Sequence, residues 1–213
     1  MSSSAPRARL CIWTAVDPAH EADFNRWYDR EHMQERVALP GFQSARRFKA
    51  VDPRCPRPYL ALYDTDGIEV FNSDAYRTAF QHQTPWSLAN FGRMRGTQRR
   101  VGTLDVEIGD GEGGALALVV VPPEALAGVD VAGRLAAAAQ QDDVVRCTLM
   151  RTDVTLSAPV TAGAAAPPAD ALLSVEATSA EGAAQAARAL AEAVGIAVEA
   201  VHVFRLMWRH GRR

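Results

Sequence analysis

Cysteine is scarce in this chain of 213 residues. The three cysteines are Cys11, Cys55 and Cys147, and none belongs to a C-x-x-C motif. An odd number of cysteines cannot pair completely within one chain, which disfavours a secreted scaffold held by disulfides. We therefore expect a reducing, cytoplasmic environment.

Long apolar runs and a strong charge of either sign are also lacking. The first residues, 1–6, contain no apolar core of a signal peptide, and the longest apolar run, 115–121, is too short to cross a bilayer. The formal net charge is only −2. Because no strong field favours polyanions or anionic lipid, we expect neither nucleic acid nor a membrane as partner.

Motifs for metals and common cofactors are absent too. The five histidines show neither H-x-x-x-H nor H-E-x-x-H spacing, so no metal site is predicted. The run GDGEGG at 109–114 lacks the lysine and the following helix of a phosphate-binding loop, and no G-x-G-x-x-G follows a strand. We expect no bound cofactor, with haem on His32 or His82 as the alternative that a single histidine leaves open.

The chain instead contains the same order of elements twice. Alternating apolar residues predict strands at 9–16, 42–51, 59–63 and 97–108, and then at 116–121, 144–154, 171–177 and 198–208. Capping residues and helical spacing predict helices at 17–39, 73–94 (restarting at Thr84-Pro85), 129–141 and 179–194, with a loop at 157–168. Both halves therefore read β-α-β-β-α-β, the order of a ferredoxin-like unit.

This repetition predicts an α+β protein of two tandem ferredoxin-like units. They span residues 7–109 and 115–210, joined by a flexible acidic linker at 110–114. Each unit has an antiparallel sheet with helices on one face, so the other face needs a cover. Two such sheets can cover each other and form an α/β barrel. The sequence leaves open whether the barrel closes within one chain or between two.

Aromatic and ionisable residues are concentrated in the first predicted helix. Tyr28 and His32 are four residues apart and share a helix face, whereas Trp27 and Glu31 share the adjacent face. An imidazole beside Tyr28 and near Glu31 or Glu35 can act as a general base near neutral pH. The simpler interpretation is a histidine bound to backbone, with a structural role only.

The segment WYDREHMQERVALPGFQSARRF, at 27–48, resembles the signature of the EthD-like proteins of the dimeric α/β-barrel superfamily. In that family a W-Y-x-x-x-H helix leads to a P-G-F turn and an R-R-Y/F strand. Residues 59–63 resemble the family's next strand, and Thr84-Pro85-Trp86 resembles its second-helix motif. The second half carries none of these motifs and is interpreted as a degenerate copy.

The resemblance implies a small organic molecule held between the sheet and its helices. It makes His32 and Tyr28 the candidate catalytic residues. The candidate ligand-binding residues are Trp27, Arg46, Tyr63, His82 and Trp86. We expect Arg46 to meet an anionic ligand or, equally, to pair with Glu31 or Glu35.

Relatives in the superfamily include monooxygenases, cyclases and isomerases. The sequence therefore predicts a cofactor-free enzyme of one of these types that acts on a small aromatic or polyketide-like molecule. The alternative is a non-catalytic module of the same fold that binds a small molecule or assists assembly. Association into a homodimer is compatible with both.

Overall fold

The computed structural model describes residues 6–158 and 169–211, in which eight antiparallel strands close into a barrel. The strands are Ala8–Val16 (β1), Phe42–Ala50 (β2), Tyr59–Thr65 (β3), Met94–Ile108 (β4), Ala115–Val121 (β5), Val144–Asp153 (β6), Ala171–Ala177 (β7) and His202–Gly211 (β8). The α-helices are Glu21–Trp27 (α1), Met33–Val37 (α2), Asp74–Gln81 (α3), Pro85–Arg93 (α4), Val131–Ala138 (α5) and Ala180–Ala193 (α6). A π-helical turn, Tyr28–His32, lies between α1 and α2, and 3-10 turns occupy Pro18–His20, Ile68–Asn72, Pro123–Leu126 and Val198–Ala200.

Two strand pairings join the halves of the chain. The barrel order is β1-β3-β2-β8-β5-β7-β6-β4, with β4 returning to pair with β1. Strand β2 pairs with β8 and β4 pairs with β6, so the barrel closes within one chain. Within the halves the orders are β4-β1-β3-β2 and β8-β5-β7-β6. The predicted α+β class with antiparallel strands is confirmed.

Strand β3 shows how the two faces of the sheet are used. Its seven residues are all buried, because alternate side chains enter different cores. Ala61 and Tyr63 belong to the core beneath the helices of the first half. Leu60 and Leu62 belong to the core inside the barrel. Residues on the first face are therefore the ones that can meet the first helix.

The barrel interior also holds buried ion pairs. Arg46 Nη1 lies 2.5 Å from Glu176 Oε2, and Arg46 Nη2 lies 3.4 Å from Asp64 Oδ2. Arg9 Nε donates to Asp64 Oδ1 at 2.5 Å. Arg9 also lines a cavity of about 10 Å³, which has room for about one water molecule. Because Arg46 and Glu176 come from different halves, the network links the two sheets.

The first helical region differs from its prediction as one helix over 17–39. Asp17 caps only the short 3-10 turn Pro18–His20, and the π-turn interrupts the helix that follows. The chain then turns at Gly41, which has a φ of +85°. A Cβ there would lie 2.4 Å from Cγ2 of Val70, so glycine is required both for its backbone angle and for space.

The segment predicted as a flexible linker, 110–114, is held against the end of the barrel. The Gly113 amide donates to Glu176 at 3.3 Å, and the Gly114 carbonyl accepts from the Leu206 amide at 2.9 Å. Glu112 pairs with Arg209 at 2.6 Å. The segment is thus anchored at three successive positions.

Parts of two predicted features lie outside the described residues: 1–5 of the segment without a signal-peptide core, and 159–168 of the loop expected at 157–168. None of the helices in the described ranges has both the length and the apolar character that crossing a bilayer requires.

Candidate functional site

The π-turn determines which side chains of the first helix meet. In a regular α-helix Tyr28 lies next to His32 and Trp27 lies on another face. A π-turn closes its hydrogen bonds between residues five apart, which brings Trp27 onto the face of His32. Their rings stack with centroids 4.4 Å apart and an interplanar angle of 30°. Tyr28 meets the His32 ring edge-on at 5.3 Å.

Two further rings complete what we call the His32 cluster, defined as Trp27, Tyr28, His32, Tyr63 and Phe91. Phe91 on α4 and Tyr63 on β3 approach the imidazole edge-on at 5.6 and 6.4 Å. His32 is only 7% exposed, whereas Phe91 is 38% exposed. Phe91 is therefore the most exposed ring of the cluster.

The surroundings of His32 keep its imidazole neutral. Burial lowers the pKa of His32 well below its usual value, and the positive charges of Arg36 and Arg47 lower it further. Its Nδ1 is buried and has no hydrogen-bond partner among the described residues. Glu31, expected nearby as a partner, instead accepts a hydrogen bond from Thr84 at 2.6 Å. The imidazole is thus held in its neutral form with one ring nitrogen unpaired, and the charged groups that shift its pKa are cations.

One other buried polar atom near His32, Nη1 of Arg36, also lacks a partner in the described ranges. The buried Tyr63 hydroxyl lies beside that of Tyr28, and a hydrogen bond between the two contributes to the pKa of each. Burial raises the pKa of Tyr63 well above its usual value, and the charge of Arg36 opposes this shift. Leaving a buried polar group unpaired costs about 1–3 kcal/mol. Two such groups, Nδ1 of His32 within the cluster and Nη1 of Arg36 beside it, indicate a site that a ligand completes.

The two neighbouring arginines of β2 lie on opposite faces of the sheet. The Arg47 guanidinium lies 4.3 Å from the centre of the Tyr28 ring and bonds to Asp29 and Asn25, each at 2.7 Å. Arg46 points into the barrel, where it pairs with Glu176 and Asp64. The alternative in which Arg46 pairs with Glu31 or Glu35 is therefore wrong, because those carboxylates lie on the helix side of the sheet.

Helix α4 is fastened to the first helix by hydrogen bonds from its first turn. Thr84 caps α4 by accepting from the Ser87 amide at 3.0 Å, and its hydroxyl donates to Glu31. Ser87 Oγ accepts from Trp27 Nε1 at 3.0 Å. These contacts fix the Trp27 ring that stacks on His32.

Trp86 contributes to the same attachment. Its Nε1 donates to Asp23 Oδ2 at 3.2 Å, and Arg93 reaches the same oxygen at 2.7 Å. Hydrogen bonds from Trp86, Arg26 and Arg93, in that order of effect, lower the pKa of Asp23 to about 2. Trp86 thus holds α4 in place by its indole nitrogen.

His82 lies away from the cluster. Its side chain is exposed, and its Nδ1 lies 2.9 Å from the Thr78 carbonyl of its own helix. Haem does not fit these positions, because His82 is at the surface and His32 is packed against four aromatic rings. Among the described residues no group of three or more His, Cys, Asp or Glu side chains is arranged to hold a metal ion.

Sequence reasoning missed Arg36, Arg47 and Phe91. Arg36 follows His32 by four residues, so helical spacing is a signal that could have found it. Arg46 and Arg47 are adjacent in β2, so their side chains point to opposite faces of the sheet. The sequence does not say which of these faces meets the first helix. Phe91 gives no such signal, because its position depends on how α4 packs.

No protein-family model matches this chain. Among curated proteins, the "Core atranone cluster (CAC) protein 1" of Stachybotrys chlorohalonatus is 30% identical over 91 residues, which are 41% of this chain and 39% of that protein. The chain thus matches about two fifths of the length of this curated relative.

Solved structures match over nearly the whole chain. An anthrone oxidase-like protein has a TM-score of 0.64 at 12% identity, covering 98% of this chain and 94% of its own. A provisionally assigned monooxygenase from Fusobacterium nucleatum has a TM-score of 0.60 at 7% identity, with 99% and 96% covered. Another from Lactobacillus acidophilus has a TM-score of 0.60 at 6% identity, with 97% and 96% covered. At these identities the likeness concerns the fold alone.

Proposed function

We propose that this protein is a cofactor-free enzyme acting on a small aromatic or polyketide-like molecule at the His32 cluster. The observation that carries the proposal is the buried, neutral imidazole with an unpaired Nδ1. A general base has to be deprotonated and free to accept a proton, and the lowered pKa and unpaired Nδ1 of His32 support this role. Tyr28, Trp27 and Tyr63 form the aromatic walls.

We further propose that the chain is an EthD-like protein built from two ferredoxin-like units, with the second unit degenerate. The W-Y-x-x-x-H and P-G-F motifs at 27–42 and the identical strand order of the halves support this. The unit boundaries, 7–109 and 115–210, remain those predicted from the sequence. The three cysteines are free thiols, which is compatible with the predicted cytoplasmic location.

The chemistry that suits such a site begins with removal of a proton from a weakly acidic C–H group. For anthrone, His32 takes a proton from the CH₂ carbon and leaves a carbanion delocalised over the rings. The carbanion transfers electrons to O₂ and forms a C–O bond. Loss of water then gives the quinone, so that one oxygen atom ends in the new carbonyl and the other in water. The substrate supplies all electrons, and no cofactor is needed.

The test is oxidation of anthrone by the purified protein, followed as anthraquinone formation and O₂ consumption. Because a positioned base contributes about 10²–10⁴-fold, we expect His32→Gln to lower the rate at least 100-fold. His20→Gln is the matched control, since His20 lies outside the cluster, and it should retain the full rate. Equal rates for wild type and His32→Gln would contradict the proposed role.

A second candidate is a binding or assembly module, and the packing of α4 favours it. Phe91 fills the place above His32, and on the same helix Leu88 is 59% exposed. Leu88 and Phe91 are three residues apart and therefore neighbours on the surface of α4, and adjoining exposed apolar side chains are what a contact site requires. This candidate gains if anthrone binds without being oxidised, and also if the chain forms a homodimer that Leu88→Glu dissolves.

A further inference from the structure

Buried arginines in this chain are paired with carboxylates, with one exception. Among the described residues the buried arginines are Arg9, Arg36, Arg46, Arg47, Arg100 and Arg146. Five of them form ion pairs, with Asp64, Glu176, Asp29, Asp170 and Glu107. Arg36 is 5% exposed, and its recorded polar contact is a single hydrogen bond from Nη2 to the Gln83 side-chain oxygen at 3.1 Å.

A buried guanidinium without a counter-charge is costly, because its desolvation is not repaid. Nη1 of Arg36 is buried and unpaired. Each of the other buried arginines in the described ranges has an ion-pair partner, so the lack of one is specific to Arg36. An anion supplied from outside would remove the cost.

Unpaired groups near Arg36 show what such an anion would meet. The Tyr63 hydroxyl is buried beside that of Tyr28 and can turn towards an incoming acceptor. Nδ1 of His32, four residues before Arg36, is buried and has no partner among the described residues. An oxygen that accepts from both Arg36 and Tyr63 would hold the adjoining carbon skeleton against the aromatic rings of the cluster. The reacting C–H or O–H would then face His32.

We infer that Arg36 is the anion-binding residue of the His32 cluster and that the ligand is a flat aromatic molecule carrying a charged oxygen, as a carboxylate, phenolate or enolate. The inference rests on the proposed function, because it concerns the same site. To the proposed function it adds the chemical class of the substrate and the residue that recognises the charge of that substrate. Arg36 acts here as a binding residue, whereas His32 performs the proton transfer.

Phe91 provides the place for the ligand. Its ring stands edge-on to both Trp27, at 5.3 Å, and His32, at 5.6 Å. Rotation of this partly exposed side chain opens the face of the cluster to solvent. One ring of the ligand would then take the position of the Phe91 ring, with the charged group directed towards Arg36.

The test compares two probes of the same shape, 2-naphthoate and 2-naphthamide, by titration calorimetry at pH 7.5. We expect wild type to bind the carboxylate at least tenfold more tightly than the amide, since hydrogen bonds to an ionised acceptor are about twice as strong as neutral ones. Arg36→Met should lose this preference while still binding the amide. Arg30→Met, which removes an exposed arginine of the same helical segment, should keep it.

Stability supplies a second readout that a merely structural arginine would not give. Because Arg36→Met removes an uncompensated buried charge, its urea midpoint should equal or exceed that of wild type. A large loss of stability together with an unchanged carboxylate preference would show that Arg36 is structural and overturn the inference.

The remaining outcomes separate the inference from the proposed function. If both probes bind equally and Arg36→Met has no effect, the site binds aromatic molecules but Arg36 is not its anion-binding residue. If neither probe binds, the inference fails. The proposed catalysis is then still judged by anthrone oxidation and its dependence on His32.

Discussion

At the scale of single residues, the charge state of His32 is set by what packs around it. Burial and the two cations Arg36 and Arg47 lower its pKa in the folded protein, whereas the unfolded chain has a pKa of about 6.5. Below about pH 6.5 the unfolded chain therefore takes up a proton that the folded chain refuses. The contribution of a neutral His32 to the free energy of unfolding is therefore fully present above that pH and is lost as the solution is acidified.

This predicts a difference between wild type and His32→Phe. The free energy of unfolding of wild type in urea should fall between pH 7 and pH 5, and that of His32→Phe should fall less. His202, whose pKa burial also lowers, is present in both proteins, so the difference between the curves isolates His32. Parallel curves would mean that the His32 ring is protonated as easily in the folded protein as in the unfolded chain.

At the scale of elements, helix α4 covers the site and depends on its first turn. Thr84 has two roles there, as the N-cap of α4 and as the donor to Glu31. Ser73 caps α3 in the same way, accepting from the Tyr76 amide at 3.2 Å, and its own hydroxyl donates to the backbone of Val70. The two caps therefore form a matched pair.

Removing each cap should separate these roles. Loss of an N-cap costs about 0.5–2 kcal/mol, so Thr84→Ala and Ser73→Ala should both lower the free energy of unfolding in urea. Only Thr84→Ala also removes the shorter of the two hydrogen bonds to Glu31, leaving that from Ser87 at 3.3 Å, and it should speed hydrogen exchange of the α4 amides beyond the effect of Ser73→Ala on α3. Equal local effects would show that the bond to Glu31 adds nothing to the docking of α4.

The element order was predictable because it depends on local signals. The helix caps expected at Ser73, Thr84 and Ser179 are confirmed, each accepting from a backbone amide of its first turn. The π-turn was not predictable, because no residue type specifies the change of hydrogen-bond register. It is stabilised by the packing of Trp27 and His32 that it makes possible.

The candidate site was only partly predictable, because some of its contacts are local in sequence and others depend on how distant elements pack. His32, Tyr28 and Trp27 could be found because they are close in sequence. The choice between Arg46 and Arg47 depends on which face of β2 turns towards the first helix, and that is decided by distant strands. Arg36 is unpaired because the described part of the fold brings no carboxylate within ion-pair distance of its guanidinium. No local sequence pattern shows this.

At the scale of the whole molecule, ion pairs cross between the two halves in different environments. Arg46 and Glu176 are each 1% exposed in their side chains. Arg151 and Asp105 join the same halves through β6 and β4 at 2.7 Å, with side chains 58% and 30% exposed. The first pair lies inside the barrel and the second on its surface.

A pair of double-mutant cycles should distinguish them. Arg46→Met leaves Glu176 without its closest cation and should cost about 3–5 kcal/mol of unfolding free energy, much of it recovered in Arg46→Met/Glu176→Leu. Arg151→Met should cost no more than about 1 kcal/mol, with little coupling to Asp105→Asn. The measurement is urea unfolding of each single and double variant. Similar coupling energies for both pairs would contradict the claim that the buried pair Arg46–Glu176 joins the two halves more strongly than the surface pair.

Closure of the barrel within one chain changes how the protein responds to dilution. When two chains share a barrel, each must find the other, and the folded fraction depends on protein concentration through mass action. Here both pairings between the halves, β2 with β8 and β4 with β6, are intramolecular. Assembly of the barrel is thus a first-order process, and the His32 cluster should persist at nanomolar protein, where a barrel made of separate subunits dissociates.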